Sequence, residues 1–253
     1  MKRAIFYLVS LLFLTFSFVA VASAEQELIV SAAASLTNAF GEIGKKFESA
    51  NPGTRVVFNF GASGALLQQI DKGAPVDVFA SADQKTMDQA AEKGLIISGA
   101  RKDFVSNELV LILPHGAKTP VKALQDLTAG EIGKIALGNP DTVPAGRYAQ
   151  EVLTNEGLWE ELKPRFIFGE SVRQVLDYVS RGEVDAGFVF ATDAAVAKDT
   201  VSVALEATKH KPITYPIAVV GSTKNRDLAT LFVNFVLSGE GREILFSYGF
   251  KKP

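Results

Sequence analysis

One segment constrains the fold of this chain more than any other, because it joins a strand, a turn of small residues and a helix. The apolar run Leu28-Ile29-Val30 predicts a buried strand, and three alanines and Ser35 follow closely. Apolar residues then recur at helical spacing, which predicts a helix that begins at Ser35. The first N–H groups of a helix have no partner within it and lie at the positive end of its dipole. This segment can therefore bind an anion without a charged side chain.

The same strand–turn–helix unit recurs three more times. The four helix starts are Ser35, Ser63, Ala145 after Pro144, and Val172 after Ser171. Strands that alternate with helices indicate an α/β fold with parallel sheets. Ligands of such sheets bind at the carboxyl ends of the strands. Ordinary helix capping explains any one of these serines, but four starts that open toward one cleft predict a shared oxyanion site.

Two long apolar segments, at 107–114 and 213–220, predict strands that carry the chain from one lobe into a second lobe and back. The chain then has two lobes with a cleft between them. We predict one lobe from 25–106 plus 217–253 and the other from 107–216. The two crossing segments are the predicted hinges.

The first 24 residues have the pattern of a secretory signal peptide. Lys2 and Arg3 precede an apolar run, and Ala22-Ser23-Ala24 supplies a small-residue cleavage site before Glu25. An uncleaved membrane anchor is the alternative, but the run is short for a span. We therefore expect an exported, soluble mature protein.

Composition excludes several classes of protein. Hydrophobic residues make up 47% of the 253 residues and charged residues 21%, so a packed core is feasible. The chain has no cysteine, which excludes disulfides, thiolate metal sites and a cysteine nucleophile. A formal net charge of −2 without basic clusters argues against nucleic-acid binding.

The chemistry of the predicted site favours a fully deprotonated anion. Backbone N–H groups and serine hydroxyls are neutral donors, and a proton on the ligand would be left without an acceptor. Phosphate groups are partly protonated near neutral pH. Sulfate, molybdate and tungstate are not, so they fit the expected donors better.

Several motifs together closely resemble the periplasmic molybdate-binding proteins of ABC transporters. They are residues 32–39 (AAASLTNA), 74–85 (APVDVFASADQK), 143–146 (VPAG), 215–220 (YPIAVV) and 248–250 (YGF). The resemblance implies a two-lobed type II periplasmic binding protein fold, with parallel-sheet lobes joined by two hinge strands that close on the ligand. It also implies a monomer without a cofactor, which delivers molybdate, and also tungstate, to a membrane permease.

The resemblance also implies which residues bind the oxyanion, the form in which molybdenum is held. The family's contacts fall on Ser35 and Ser63 through hydroxyl and backbone N–H groups. They fall on Ala145 and Val172 through backbone N–H groups alone.

At one position the chain departs from the family pattern. A fifth family contact is often a tyrosine hydroxyl, and Phe190 occupies that position here. Phenylalanine cannot donate this hydrogen bond, so either the affinity is lower or Thr192, Asn38 or a water molecule replaces the donor.

The charged residues beside the site are expected to have structural roles rather than to bind the ligand. Arg147 and Arg173 lie just inside two of the site helices. Contact with the ligand is one alternative for them, but we expect exposed surface positions. Asp77, Asp83 and Asp193 lie near strand ends, where we expect helix capping or hydrogen bonds between the lobes. A carboxylate in contact with the ligand would repel a dianion.

Three alternative functions remain open. The same fold could bind sulfate or another small anion. The second alternative is an exported sulfate or phosphate ester hydrolase, but His115 and His210 lie in loop contexts and no base is evident for Ser35 or Ser63. The third is the sensing domain of a regulator, for which no additional module is evident. We expect a non-enzymatic binding protein.

Overall fold

The chain folds around two five-stranded sheets flanked by helices. The computed structural model describes residues 25–253, so the predicted signal peptide lies outside the described residues. The strands are β1 Gln26–Ala33, β2 Thr54–Gly61, β3 Val78–Ala80, β4 Lys102–Asn107, β5 Leu109–Pro114, β6 Ile135–Gly138, β7 Phe166–Gly169, β8 Ala186–Phe190, β9 Val201–Glu206 and β10 Ile213–Val219. The helices are α1 Thr37–Ala50, α2 Ser63–Asp71, α3 Gln84–Glu92, α4 Pro144–Asn155, α5 Trp159–Leu162, α6 Val172–Ser180, α7 Ala191–Val196, α8 Arg226–Leu237 and α9 Gly239–Ser247.

The two sheets have equivalent strand orders. The first is β2-β1-β3-β10-β4 and the second is β7-β6-β8-β5-β9. In each, four strands share one direction and the fourth in the order, β10 or β5, is antiparallel to both neighbours. The α/β architecture is confirmed, but the expectation of parallel sheets was wrong for these two strands. They are apolar crossing strands, which enter a sheet without the helical crossover that parallel pairing requires.

This equivalence places the four predicted helix starts at matching points. A turn of 3₁₀ helix at Ala34–Leu36 follows β1 and leads into α1, while α2 follows β2. In the second sheet α4 follows β6 and α6 follows β7. The carboxyl ends of two adjacent parallel strands therefore supply two helix starts from each sheet.

A cluster of aromatic rings joins the end of the chain to the first sheet. The rings of Phe47 and Phe232 lie 5.2 Å apart at their centroids, and Phe40 packs 6.1 Å from Phe232. These contacts dock α8 against α1, which follows the first strand of this sheet. Among residues 25–253, the helices are all too short or too polar to cross a membrane.

Candidate functional site

One small cavity between the two sheets brings together all five predicted positions. Its lining includes Ser35, Ser63, Ala145, Val172 and Phe190. The other lining residues are alanine, glycine, valine and proline, so none of the described residues of this lining carries a charged side chain. The cavity is therefore walled by backbone, two hydroxyl groups and apolar side chains.

The first sheet contributes both serines. Ser35 lies in the 3₁₀ turn after β1, and Ser63 is the first residue of α2; both are buried. The Ser63 hydroxyl oxygen accepts a hydrogen bond from the Ala82 N–H at 3.0 Å. Because a backbone N–H can only donate, the Ser63 proton is free to donate to another group.

The second sheet contributes the starts of α4 and α6. Pro144 occupies the first turn of α4, where its fixed φ favours helix initiation, and Ala145 follows it. A Cβ atom at Gly146 would lie 1.9 Å from the carbonyl oxygen of Gly138, so only glycine lets α4 approach β6 this closely. Ser171 caps α6 by accepting from the Gln174 N–H at 3.2 Å, ahead of Val172.

Phe190 forms an apolar wall at the end of β8. Its ring packs edge-on against Tyr148 and Tyr215, with centroid distances of 6.4 and 5.7 Å. Neither proposed replacement donor lies among the described residues that line the cavity. Thr192 is buried and accepts from the Asn107 side chain at 2.9 Å, while Asn38 is exposed. A lower affinity and a water molecule are the two alternatives that this lining leaves open.

An ion pair connects the two sheets beside the cavity. The Arg147 guanidinium in α4 donates to Asp83 Oδ2 at 2.6 and 2.9 Å and to the Thr86 hydroxyl at 2.7 Å. Asp83 also caps α3 by accepting from the Thr86 N–H. The expected capping role of Asp83 is confirmed, and its bonds to Arg147 join elements of the two sheets. The expected exposed position of Arg147 was wrong, because its side chain is only 15% exposed.

A backbone contact lies at the same interface. The Gly64 N–H donates to the Thr142 carbonyl at 3.0 Å. A Cβ atom at Gly64 would lie 2.8 Å from that oxygen and 2.9 Å from the Thr142 Cα. The first turn of α2 therefore meets the loop before α4 at a distance that only glycine allows.

A second ion pair lies behind Phe190. Arg173 donates to Asp193 Oδ1 at 2.5 Å, and the Asp193 side chain is fully buried. Burial raises the pKa of Asp193 to about 6, although Arg173 acts in the opposite direction. Arg173 is thus paired and partly buried rather than exposed as expected. Asp193 is not among the described residues that line the cavity.

Two residues behind Ser35 were not singled out from the sequence. The Tyr215 hydroxyl lies 3.0 Å from Ser35 Oγ and 3.1 Å from Asn107 Nδ2. A tyrosine in an otherwise apolar strand was the available signal, because a buried hydroxyl needs a hydrogen-bond partner.

Comparison with known proteins supports the resemblance seen in the sequence. The chain is 38% identical over 235 residues to the molybdate-binding protein ModA of Haemophilus influenzae, covering 90% of this chain and 91% of that protein. It is 37% identical over 231 residues to ModA of Escherichia coli, covering 89% of both.

A solved structure and a family match extend this similarity to the fold. The periplasmic molybdate-binding protein of Azotobacter vinelandii superposes with a TM-score of 0.78 at 27% identity, covering 89% of this chain and 99% of that chain. Residues 28–251 match the family described as bacterial extracellular solute-binding proteins. Because this match spans nearly the whole described chain, the protein belongs to the bacterial extracellular solute-binding protein family that includes these molybdate-binding relatives.

Proposed function

We propose that this protein binds molybdate or tungstate in the cavity between the sheets and delivers it to the permease of an ABC transporter. One observation carries the proposal: four helix starts and two serine hydroxyls meet at a small cavity whose described lining has no charged side chain. A tetrahedral dianion matches such a set of neutral donors. The relatives that bind molybdate support the choice of ligand.

Each ligand contact follows from the position of a residue at a helix start. Ser35 and Ser63 donate through their hydroxyl and backbone N–H groups, and Ala145 and Val172 donate through backbone N–H groups. Phe190 supplies an apolar wall and no donor. Molybdenum is held only as the oxyanion, through these oxygen contacts, and the protein needs no separate cofactor. Molybdate and tungstate have the same shape and charge, so the same donors serve both.

The surroundings of the serines support a binding protein rather than a hydrolase. The Ser63 oxygen already accepts from Ala82, and the described lining offers neither serine an imidazole or carboxylate as a base. The imidazole of His210 is bonded to the Lys211 carbonyl, and His115 lies in a turn where its backbone N–H donates to the Thr200 carbonyl. Neither histidine is among the described residues that line the cavity. Hydrolysis of a sulfate or phosphate ester would need such a base.

We further propose that the two sheets are the cores of two lobes that close on the ligand. The predicted bounds, 25–106 plus 217–253 and 107–216, shift at one strand, because the whole of β10 pairs within the first sheet. The proposed hinges, 107–114 and 213–220, adjoin the two connections between the sheets, which run from Asn107 to Leu109 and from Glu206 to Ile213. The Arg147–Asp83 pair and the Gly64–Thr142 contact belong to the closed state. The unliganded protein opens at this interface. The family's extracellular location supports export into the periplasm by cleavage after Ala24, and the mature protein acts as a monomer.

Calorimetric titration of residues 25–253 with molybdate, tungstate, sulfate and phosphate tests the proposal. We expect tight one-to-one binding of molybdate and tungstate and weak or absent binding of the other two. A preference for sulfate would keep the class of protein and change the ligand. Turnover of a chromogenic sulfate or phosphate ester would contradict a purely binding role.

A further inference from the structure

A buried hydrogen-bond network lies directly behind Ser35. It begins at Asn107, whose side-chain oxygen accepts from the Glu108 N–H at 2.9 Å. Because a backbone N–H only donates, this bond fixes the orientation of the amide. The Asn107 nitrogen then donates to the Tyr215 oxygen at 3.1 Å and to Thr192 Oγ1 at 2.9 Å.

The direction of the next bond follows by elimination. Tyr215 is completely buried, and burial raises the pKa of its hydroxyl well above the ordinary value, so the proton stays on the oxygen. Among residues 25–253 its polar partners are Asn107, which donates to it, and Ser35 Oγ at 3.0 Å. The Tyr215 proton therefore has one acceptor, the Ser35 oxygen.

This bond decides where the Ser35 proton points. The Ser35 oxygen accepts from Tyr215 on its buried side, so its own proton is directed toward the cavity that Ser35 lines. Ser63 has the same arrangement, with the Ala82 N–H in place of the tyrosine. Both hydroxyls thus accept from behind and donate into the site.

We propose that Tyr215 is a positioning residue that sets ligand selectivity, because it holds the Ser35 hydroxyl as a donor toward fully deprotonated oxyanions. The inference rests on the proposed oxyanion-binding function. Tyr215 does not itself line the cavity among the described residues, so it acts through Ser35. Donation from Tyr215 also polarises the Ser35 hydroxyl, since hydrogen bonds in a chain strengthen one another. This compensates in part for Phe190, which has no hydroxyl.

Calorimetry of a double-mutant cycle tests the role. Tyr215→Phe removes one hydroxyl, and we expect molybdate binding to weaken about 3- to 10-fold. In a Ser35→Ala background the same substitution should have no further effect, because the group on which it acts is gone. Affinity for phosphate should fall less than affinity for molybdate, since a freed Ser35 oxygen can turn to accept the phosphate proton.

Two further variants complete the test. Tyr248→Phe is the matched control, because it removes a tyrosine hydroxyl bonded to Glu42, away from the cavity lining, and it should bind molybdate like the wild type. Asn107→Ala removes the amide that donates to Tyr215, so we expect a smaller loss of molybdate affinity. This loss should again vanish in the Ser35→Ala background. Asn107→Ala replaces Tyr215→Phe in the double-mutant cycle if Tyr215→Phe does not fold.

The outcomes distinguish a failure of the proposed binding function from a failure of the positioning role of Tyr215. If the wild type does not bind molybdate, the proposed function fails. If the wild type binds but Tyr215→Phe and Asn107→Ala weaken binding equally with and without the Ser35 hydroxyl, only the positioning role fails. Unchanged molybdate affinity in Tyr215→Phe would likewise overturn it.

Discussion

Replacing Gly64 by alanine tests whether the two sheets must come this close to hold the ligand. The added methyl group would lie 2.8 Å from the carbonyl oxygen and 2.9 Å from the Cα of Thr142. Both atoms are backbone, so they cannot swing away as a side chain could. Closure would then strain the contact or hold the sheets slightly apart.

The magnitude follows from two losses at this contact. Overpacking a close contact costs about 1–3 kcal/mol. The hydrogen bond from the Gly64 N–H to Thr142 contributes about 0.5–1.5 kcal/mol where it is lost as well. A combined loss of about 3 kcal/mol, the middle of these ranges, predicts molybdate binding about 150-fold weaker in Gly64→Ala.

The unliganded protein should respond differently. If the sheets are apart without ligand, the alanine meets nothing and its higher helix propensity favours α2 by up to about 1 kcal/mol. Calorimetry should therefore show weaker binding while thermal denaturation shows an unchanged or slightly higher Tm. Gly41→Ala is the matched control, because it lies in α1 and a Cβ there has no neighbour within 4 Å.

Two results would refute this reasoning. Affinity within about threefold of the wild type would mean that the contact contributes nothing to ligand capture. A lower Tm without ligand would mean that the close contact already exists in the unliganded protein. Small-angle scattering with and without molybdate would then show no compaction in the wild type.

Three further predictions concern charged and aromatic residues near the cavity. Arg147→Met should weaken oxyanion binding about 10- to 100-fold in calorimetry, because it removes charge-assisted bonds between the sheets. Arg55→Met, which removes one partner of an exposed ion pair, is the control and should bind like the wild type. Equal affinities of the two variants would contradict this prediction. Phe190→Tyr should tighten binding by a similar factor because it restores a donor to a charged ligand, whereas unchanged or weaker affinity would mean that the donor is already replaced. Asp193 has a pKa of about 6, raised from 3.8, so the folded protein binds more protons than the unfolded one between these values. The free energy of unfolding should therefore fall as pH rises from about 4 to above 6. In urea denaturation, the free energy of unfolding of Asp193→Asn should depend less on pH than that of the wild type. The same pH dependence in both proteins would contradict a contribution from Asp193.

Local patterns in the sequence were sufficient for the strand–turn–helix units and for the positions that gather at the cavity. Ser35, Ser63, Ala145 and Val172 each mark a helix start, and a helix start follows from nearby small residues, caps and apolar spacing. Whether these residues bind the ligand stays a prediction. The half-exposed edge strand β9 and the short helix α9 had no strong periodicity and were not predicted.

Only the tertiary structure decided how the two sheets meet. The bond between Ser35 and Tyr215 joins residues 180 positions apart, and the pair of Asp83 and Arg147 spans 64 positions. Such contacts depend on the packing of both sheets, and no local spacing in one sequence encodes them. The antiparallel direction of β5 and β10 likewise depends on how the chain crosses between the sheets. The sequence by itself thus determined which residues begin the helices that line the cavity, and the fold decided which side chains lie behind and around them.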